Sequence, residues 1–136
     1  MSATILDGRA IALKVRAEVA QRAQALRARG IVPGLVVILA GDDPASAVYV
    51  RSKGRAAEAC GIAARTVRFG ADVSFATLQA TVAELNADPA VHGILIQLPL
   101  PPGVSAEQTT ALLEQVDPAK DVDGFHPQSL GHLVAG

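Results

Sequence analysis

The sequence predicts an α/β domain in which a parallel sheet is covered by helices on both faces. Two nearly unbroken apolar runs, at residues 35–40 and 91–98, are typical of strands that are buried on both sides. Amphipathic patterns with helical spacing separate these runs, and the connections between segments are short. Alternating strands and helices of this kind imply parallel strands joined by right-handed crossovers, in three layers.

A long amphipathic helix is predicted first. It follows Asp7 and ends near Arg29, where Gly30 closes it. Its expected buried stripe consists of Ile11, Val15, Val19, Ala23 and Leu26. Charged residues such as Arg16 and Arg22 lie off this stripe, so we expect one face of the helix to pack against the domain.

The next segments form a strand, a helix and a second strand. The apolar run at residues 35–40 predicts the first strand. An acidic pair followed by Pro44 is a helix start signal, and the second helix is expected over residues 44–60. Alternation over residues 62–69 predicts the second strand.

The second half of the chain repeats this alternation. Ser74 is expected to cap a third helix, and Ser105 and Gln108 have the spacing of a capping box. Pro99 ends the third strand because proline has no backbone donor. The predicted segments are a helix over 75–86, a strand over 91–98, a helix after 105, a polar loop over 117–127 and a short helix over 128–136.

Composition excludes several classes of protein. At 136 residues the chain is one domain, and 12 basic against 13 acidic residues give no basic excess for nucleic acid. A single cysteine, Cys60, cannot form a disulfide within the chain, and this fits a reducing compartment. Neither a signal peptide nor an apolar run of roughly 20 residues is present, so we expect a cytoplasmic protein without a membrane partner.

The turns after the first and third strands are expected at one edge of the sheet, where ligands bind in open parallel sheets. Tyr49 and Lys53, four residues apart, share a helix face that points towards this edge. A lysine in a covered cleft can exchange protons near neutral pH. The alternative is an exposed helix lysine whose stem lies against Tyr49.

Gln97 is the polar residue near the end of an apolar strand, so its amide needs a partner. A glutamine can accept a hydrogen bond from Lys53 without adding negative charge, whereas a carboxylate there would raise the lysine pKa. The alternative is a glutamine that is bonded only to backbone groups.

Asp121 and Asp123 lie in the loop K-D-V-D-G-F. Three roles remain for them: they could ligate calcium, cap a turn, or pair with an amidine-like edge of a ligand. The other ligands of an EF-hand calcium loop are missing. We expect a packed role for Cys60 and no metal site, because the three histidines lack ligand spacing. The chain has no G-x-G-x-x-G or G-x-x-x-x-G-K-[ST], the fingerprints of nucleotide sites.

Three motifs occur in order: P-G-L-V-V-I-L-A-G-D-D-P-A-S-A-V-Y-V-R-S-K, H-G-I-L-I-Q-L-P-L-P and K-D-V-D-G-F-H-P. Together they closely resemble the methylenetetrahydrofolate dehydrogenase/methenyltetrahydrofolate cyclohydrolase family, from about Ile5 to about Leu133. The resemblance implies the N-terminal, folate-binding catalytic domain over residues 1–136. It also implies NADP-dependent oxidation of 5,10-methylenetetrahydrofolate and hydrolysis of the product to 10-formyltetrahydrofolate, within one-carbon metabolism and purine biosynthesis.

The resemblance also implies residue roles. Lys53 is the general acid/base and Gln97 hydrogen-bonds and tunes it. Tyr49 stacks on the folate, Asp123 holds the pterin amine edge, and Ser46 lines the site.

Two departures from the family pattern are visible. The family continues into a Rossmann domain that binds NADP, so we expect a chain truncated before that domain, with no cofactor site of its own. His132 stands where the family usually has arginine, which leaves the local loop contacts open. We expect a homodimer for a full-length protein and self-association for this fragment.

Two other classes of function remain. A binding module would hold folate without catalysis, and a cyclohydrolase assay separates it from an enzyme. A phospho-receiver-like domain has a similar fold but would need an aspartate near the end of the strand that here ends in Gln97.

Overall fold

The computed structural model describes residues 6–136, so Ile5, where the resemblance begins, lies outside the described residues. The elements are α1 (Gly8–Ala28), β1 (Gly34–Ala40), α2 (Pro44–Ala59), β2 (Ala63–Phe69), α3 (Phe75–Ala87), β3 (Gly93–Ile96), α4 (Ala106–Gln115) and α5 (Pro127–Ala135). The predicted order of helices and strands is confirmed.

The three strands form a parallel sheet in the order β2-β1-β3. All seven residues of β1 pair with β2, and Leu35 to Ile38 pair with β3. Because β1 is central and pairs on both sides, its backbone groups are satisfied within the sheet and its side chains are covered by the layers above and below.

Helices pack on both faces of the sheet, and this confirms the predicted three layers. On one face, α2 contributes Val50 to a small cluster with Val37, Leu39 and Leu95. The larger core lies on the other face, between the sheet and helices α3 and α4. Its fully buried members include Ile38, Leu78, Val82, Ile94 and Leu112.

β3 is shorter than the predicted strand over residues 91–98. At its start, the Val91 amide donates to the Asp88 carbonyl in a turn and therefore cannot join the ladder. At its end, the Gln97 amide still donates to the Ile38 carbonyl, 2.9 Å away, but Pro99 has no amide hydrogen to continue. The Leu98–Pro99 peptide is cis.

The expected buried stripe of α1 is covered only in its C-terminal half. Ala23 is buried, whereas Ile11 and Val15 are 52% and 50% exposed. With 21 residues α1 is about 32 Å long, against about 23 Å for a seven-residue strand, so it extends past the sheet. No helix among residues 6–136 is both long enough and apolar enough to cross a bilayer.

Candidate functional site

The carboxyl ends of β1 and β3 lie at one edge of the sheet, as predicted. A crevice of about 310 Å³ opens there, lined by Ala40, Gly41, Asp42, Asp43, Ala71, Pro99, Leu100, Pro101 and Pro102. Residues that follow both strands therefore meet at this edge, and the side chains of the predicted site can be located relative to it.

A glycine with positive φ and a helix cap define the turn between β1 and α2. Gly41 has a φ of 89°, in the left-handed region that favours glycine. Asp43 caps α2, with its Oδ2 accepting a hydrogen bond from the Ser46 amide at 2.8 Å, and Pro44 follows at the first helical position. Hydrogen bonds from the Ser46 hydroxyl and amide lower the pKa of Asp43. The interpretation of this acidic pair as a helix start is confirmed.

Three of the predicted site residues line one pocket at this edge. Ser46, Tyr49 and Gln97 surround a space of about 340 Å³, together with Asp43, Ala45, Leu98 and Pro99. Ser46 is only 6% exposed and is the one buried polar side chain among the described residues. Tyr49 is 56% exposed, so its ring is available to a ligand. A flat aromatic compound could stack on it.

Lys53 lies against Tyr49. Its Nζ atom is 4.5 Å from the centroid of the tyrosine ring, within the range of a cation–π interaction. The contact follows from their four-residue spacing on α2, which puts both side chains on one face of the helix. Lys53 is half-buried. The helix thus holds an amine and an aromatic ring side by side.

Gln97 uses only part of its hydrogen-bonding capacity. Its Nε2 donates to the Leu98 carbonyl at 2.8 Å, but its Oε1 is buried and has no partner among the described residues. No hydrogen bond joins Gln97 to Lys53, whose ammonium lies over Tyr49 instead. The Oε1 atom is therefore a buried acceptor that a ligand, a water molecule or a rotated lysine can satisfy.

Asp123 lies on the loop between α4 and α5 and does not line this pocket. The loop runs parallel to β3: Asp121 forms a bridge with Ile94, and the Ile94 amide donates to the Lys120 carbonyl at 2.8 Å. From this bridge the chain continues towards the carboxyl edge of the sheet. Asp123 is exposed. The structure therefore brings Ser46, Tyr49, Lys53 and Gln97 together, with Asp123 on a neighbouring loop.

Close packing holds this loop against β3. A Cβ atom built on Gly93 would lie 2.7 Å from Cγ1 of Val122, so the glycine permits the loop to approach the strand. Gly124, directly after Asp123, has a φ of 71°, which also favours glycine.

The carboxylate of Asp121 organises the turn that contains Asp123. Its Oδ1 accepts from the Gly124 amide at 3.0 Å, and its Oδ2 accepts from the His126 amide at 2.9 Å. Burial by itself favours a higher pKa for Asp121. Hydrogen bonds from the His126 amide and the Ser129 hydroxyl, with smaller contributions from other amides, together have a larger and opposite effect, so the pKa of Asp121 is lowered. Asp121 is a turn cap.

Lys120 and Asn86 also hold the loop, and no sequence pattern singles out either residue. Lys120 Nζ donates to the carbonyls of Leu85, Asn86 and Asp88, at 2.7 to 2.9 Å, around the C-terminal end of α3. The Asn86 side chain donates to the Gln115 carbonyl and accepts from the amide of Asp117. These partners are 29 to 35 residues apart, so no local pattern could reveal them.

Other candidate residues have structural positions. Cys60 is buried, in agreement with its predicted packed role. The His92 Nδ1 accepts from the Gly34 amide, and the His126 Nδ1 accepts from the Gln128 amide. Within residues 6–136 no group of three or more His, Cys, Asp or Glu side chains is arranged to hold a metal ion.

The chain is similar to a known protein family. The family model described as the tetrahydrofolate dehydrogenase/cyclohydrolase catalytic domain matches residues 6–123. The bifunctional protein FolD of Bradyrhizobium diazoefficiens is 54% identical over 137 residues, covering 100% of this chain and 46% of that protein. Bifunctional protein FolD 2 of Geobacter sulfurreducens is 52% identical over 134 residues, covering 98% and 46%.

Solved structures give the same result. The bifunctional FolD methylenetetrahydrofolate dehydrogenase/cyclohydrolase of Campylobacter jejuni has a TM-score of 0.91 at 42% identity, covering 97% of this chain and 46% of that one. The Trypanosoma brucei methylenetetrahydrofolate dehydrogenase-cyclohydrolase, solved with NADP cofactor and an inhibitor, has a TM-score of 0.87 at 38% identity, covering 98% and 45%. The chain thus spans about half the length of the relatives it matches.

Proposed function

The chain belongs to the tetrahydrofolate dehydrogenase/cyclohydrolase family, and from this premise we propose that it supplies the folate site of a bifunctional enzyme. That enzyme oxidises 5,10-methylenetetrahydrofolate to the methenyl form and hydrolyses the methenyl form to 10-formyltetrahydrofolate. Relatives named as bifunctional FolD proteins support the two activities.

One observation carries the proposal. At the carboxyl edge of the sheet, Gln97 lines the same pocket as the exposed ring of Tyr49, beside the Lys53 ammonium, and its buried Oε1 has no partner among the described residues. A buried acceptor without a partner costs about 1–3 kcal/mol, and a bound ligand or water can remove that cost. An aromatic surface, an amine and an acceptor suit a flat ring system with hydrogen-bonding edges.

In this proposal Lys53 is the general acid and base of the hydrolysis. A water molecule attacks the methenyl carbon, and the neutral amine of Lys53 accepts a proton from that water as the new C–O bond forms. Lys53 then returns a proton to the ring nitrogen as the C–N bond breaks, which leaves the formyl group on the other nitrogen. The net reaction consumes one water and releases one proton.

Gln97 positions Lys53 for this exchange. In this proposal the Lys53 ammonium turns from Tyr49 towards the Oε1 of Gln97, which has no partner among the described residues. That acceptor is neutral, so it holds the amine without stabilising its charged form as strongly as a carboxylate would. A lysine that must alternate between charged and neutral forms benefits from such a partner.

The remaining residues bind the substrate. Tyr49 stacks on the folate rings through its exposed face. The Asp123 carboxylate pairs with the pterin amine edge, because two adjacent N–H donors match a carboxylate. Ser46 lines the pocket beside Tyr49. The Asp123 carboxylate accepts no hydrogen bond within residues 6–136, which leaves it available to a ligand.

The described residues do not fit NADP. The turn after β1 contains Asp42 and Asp43 instead of a glycine-rich sequence, and the Asp43 carboxylate already occupies the helix N-terminus where a pyrophosphate would bind. Two carboxylates at that point would repel the phosphates. We therefore propose that residues 1–136 are the catalytic domain and that a second domain, not contained in these residues, holds the NADP that the dehydrogenase reaction requires.

Titration calorimetry with tetrahydrofolate tests the proposed site. Asp123→Ala should weaken binding by on the order of 2–3 kcal/mol through loss of a charge-assisted pair, and Tyr49→Ala should weaken it through lost stacking area. Glu18→Ala, which removes an exposed carboxylate from α1, should leave the affinity unchanged. Unchanged affinity for Asp123→Ala would exclude the proposed pairing of Asp123 with the pterin edge.

A further inference from the structure

A second cleft lies on the opposite side of α2. It has a volume of about 250 Å³ and separates α2 from the edge strand β2. Arg51 and Arg55 enter it from α2, and Arg68 enters it from β2. Its other lining residues are Val37, Val50, Gly54, Glu58, Ala64, Arg65 and Thr66. The cleft therefore combines an apolar floor with guanidinium groups on two walls.

This cleft is separate from the folate site. Arg51 and Arg55 each lie two residues from Tyr49 and Lys53, respectively, which on an α-helix is a rotation of about 200°. Gln97 and Asp123 do not line the cleft. A ligand bound there would not touch the groups assigned to catalysis.

Three of the four arginines of the cleft have no partners among residues 6–136. The one ion pair in that range joins Arg65 to Asp88, at 3.7 Å, and no side-chain hydrogen bond involves Arg51, Arg55 or Arg68. Arg51 and Arg55 are four residues apart on α2, and like charges at this spacing destabilise a helix by a few tenths of a kcal/mol. A bound anion would attract both arginines and so offset the repulsion between them.

Protection of the sheet edge explains only part of the arrangement. Charged side chains on an edge strand prevent pairing with other chains, and this accounts for Arg68. It does not account for two arginines on the helix, which face the same cleft. The net charge of the chain is −1, so the concentration of positive charge here is local.

We propose that this cleft binds a phosphate group. Guanidinium groups donate paired hydrogen bonds that match phosphate oxygens. Four arginines and one carboxylate, that of Glu58, line the cleft, so a net positive charge remains to attract an anion. At about 250 Å³ the cleft has room for a phosphate group. The shared chemistry is that of inorganic phosphate and of a simple phosphate monoester.

Calorimetric titration of the chain at low ionic strength tests this proposal, with inorganic phosphate and phenyl phosphate as separate probes. We expect saturable binding of at least one probe, and its identity distinguishes free phosphate from a monoester. Arg68→Gln and Arg55→Gln should each weaken binding about tenfold or more, because each removes a charge-assisted hydrogen bond. Two variants ensure that a folding defect in one leaves the other informative.

Arg22→Gln on α1 is the matched control, since it removes one exposed arginine that does not line the cleft. It should change the affinity less than twofold if binding is specific to the cleft. The absence of saturable binding, or an equal effect of Arg22→Gln and Arg68→Gln, would overturn the proposal. Neither result bears on folate binding, which is measured separately.

Discussion

The polar side chains around the sheet edge differ in how much of their hydrogen-bonding capacity the protein itself uses. The Asp43 and Asp121 carboxylates accept backbone amides and so fix a helix start and a turn. The Gln97 Oε1, by contrast, has no partner among the described residues. Residues of the first kind define the backbone, and under the proposed function the Oε1 of Gln97 is left for a ligand.

Replacement of Lys53 tests its proposed role directly. Lys53→Met keeps the apolar stem but removes the amine, so cyclohydrolase activity should fall by about 10²–10⁴-fold while the fold survives. The assay suits a fusion of this chain to the remaining part of the Bradyrhizobium relative, since the chain covers only 46% of that protein. Lys14→Met, on the exposed surface of α1, should retain full activity. Near-native turnover of Lys53→Met would exclude Lys53 as the acid/base.

Asp121 gives a prediction about pH. Its pKa is lowered in the folded state, so its contribution to stability is complete above the unfolded pKa of about 3.9 and is lost as pH falls through the lower folded value. Asp121→Asn should reduce the free energy of unfolding at pH 7 by on the order of 1–2 kcal/mol, and the difference from the natural chain should shrink below about pH 4.

Urea unfolding at pH 7, 4 and 3 measures this difference. Asp123→Asn is the matched control, because it removes the same charge from the same loop without breaking a hydrogen bond among the described residues. A stability difference for Asp121→Asn that stays constant down to pH 3 would contradict the assignment.

At the scale of elements, local signals predicted the structure well. Ser74 caps α3, and the capping box of Ser105 and Gln108 is present in both directions. These interactions join residues three positions apart, so the sequence contains all the information that they need. The Tyr49–Lys53 contact is predictable for the same reason.

Features that depend on distant partners were not predictable. The order of the strands, the short length of β3 and the exposure of Ile11 and Val15 all depend on what packs against each segment. The sequence indicated a polar group at Gln97 but not which of its atoms would remain free. The Lys120 contacts to α3 likewise required the tertiary structure.

Lys120 is expected to stabilise the Asp123 loop by attaching it to the end of α3. Lys120→Met removes three hydrogen bonds to carbonyls near the end of α3, so the free energy of unfolding should fall by on the order of 2 kcal/mol. Folate affinity should fall as well, because the loop that presents Asp123 loses its attachment. Lys14→Met should change stability by less than about 0.5 kcal/mol.

A double-mutant cycle isolates the effect on the site. If Lys120 acts through Asp123, then Lys120→Met should weaken folate binding much less in an Asp123→Ala background than in the natural chain. Additive effects on affinity would show that Lys120 supports the fold without positioning Asp123.

Over the whole molecule, apolar side chains are exposed on both terminal helices. On α5, Leu133 and Val134 are 80% and 89% exposed, and on α1 Leu13 is 68% exposed. Exposed apolar side chains of this size on neighbouring positions favour association. The described residues therefore contain a well-packed centre between two helices that are poorly covered.

Two outcomes are expected for the 136-residue chain by itself. It should show no dehydrogenase activity with NADP and at most weak cyclohydrolase activity, since a cleft with one wall stays hydrated. It should also self-associate, and light scattering should detect less association for a Leu133→Ser, Val134→Ser double variant. NADP-dependent turnover by this chain would contradict the assignment of the cofactor to another domain, and a monodisperse monomer would contradict the second expectation.

The attachment of Lys120 to α3 also affects the order in which a ribosome can complete this domain. The carbonyls of Leu85, Asn86 and Asp88 are synthesised 32 to 35 residues before the lysine that binds them. At a translation rate of about 5–20 residues per second, Lys120 is synthesised roughly 2–7 s after these carbonyls. The nascent chain can form α2 and the Tyr49–Lys53 pair during that interval, whereas the Asp123 loop can be attached to α3 only after Lys120 has been synthesised.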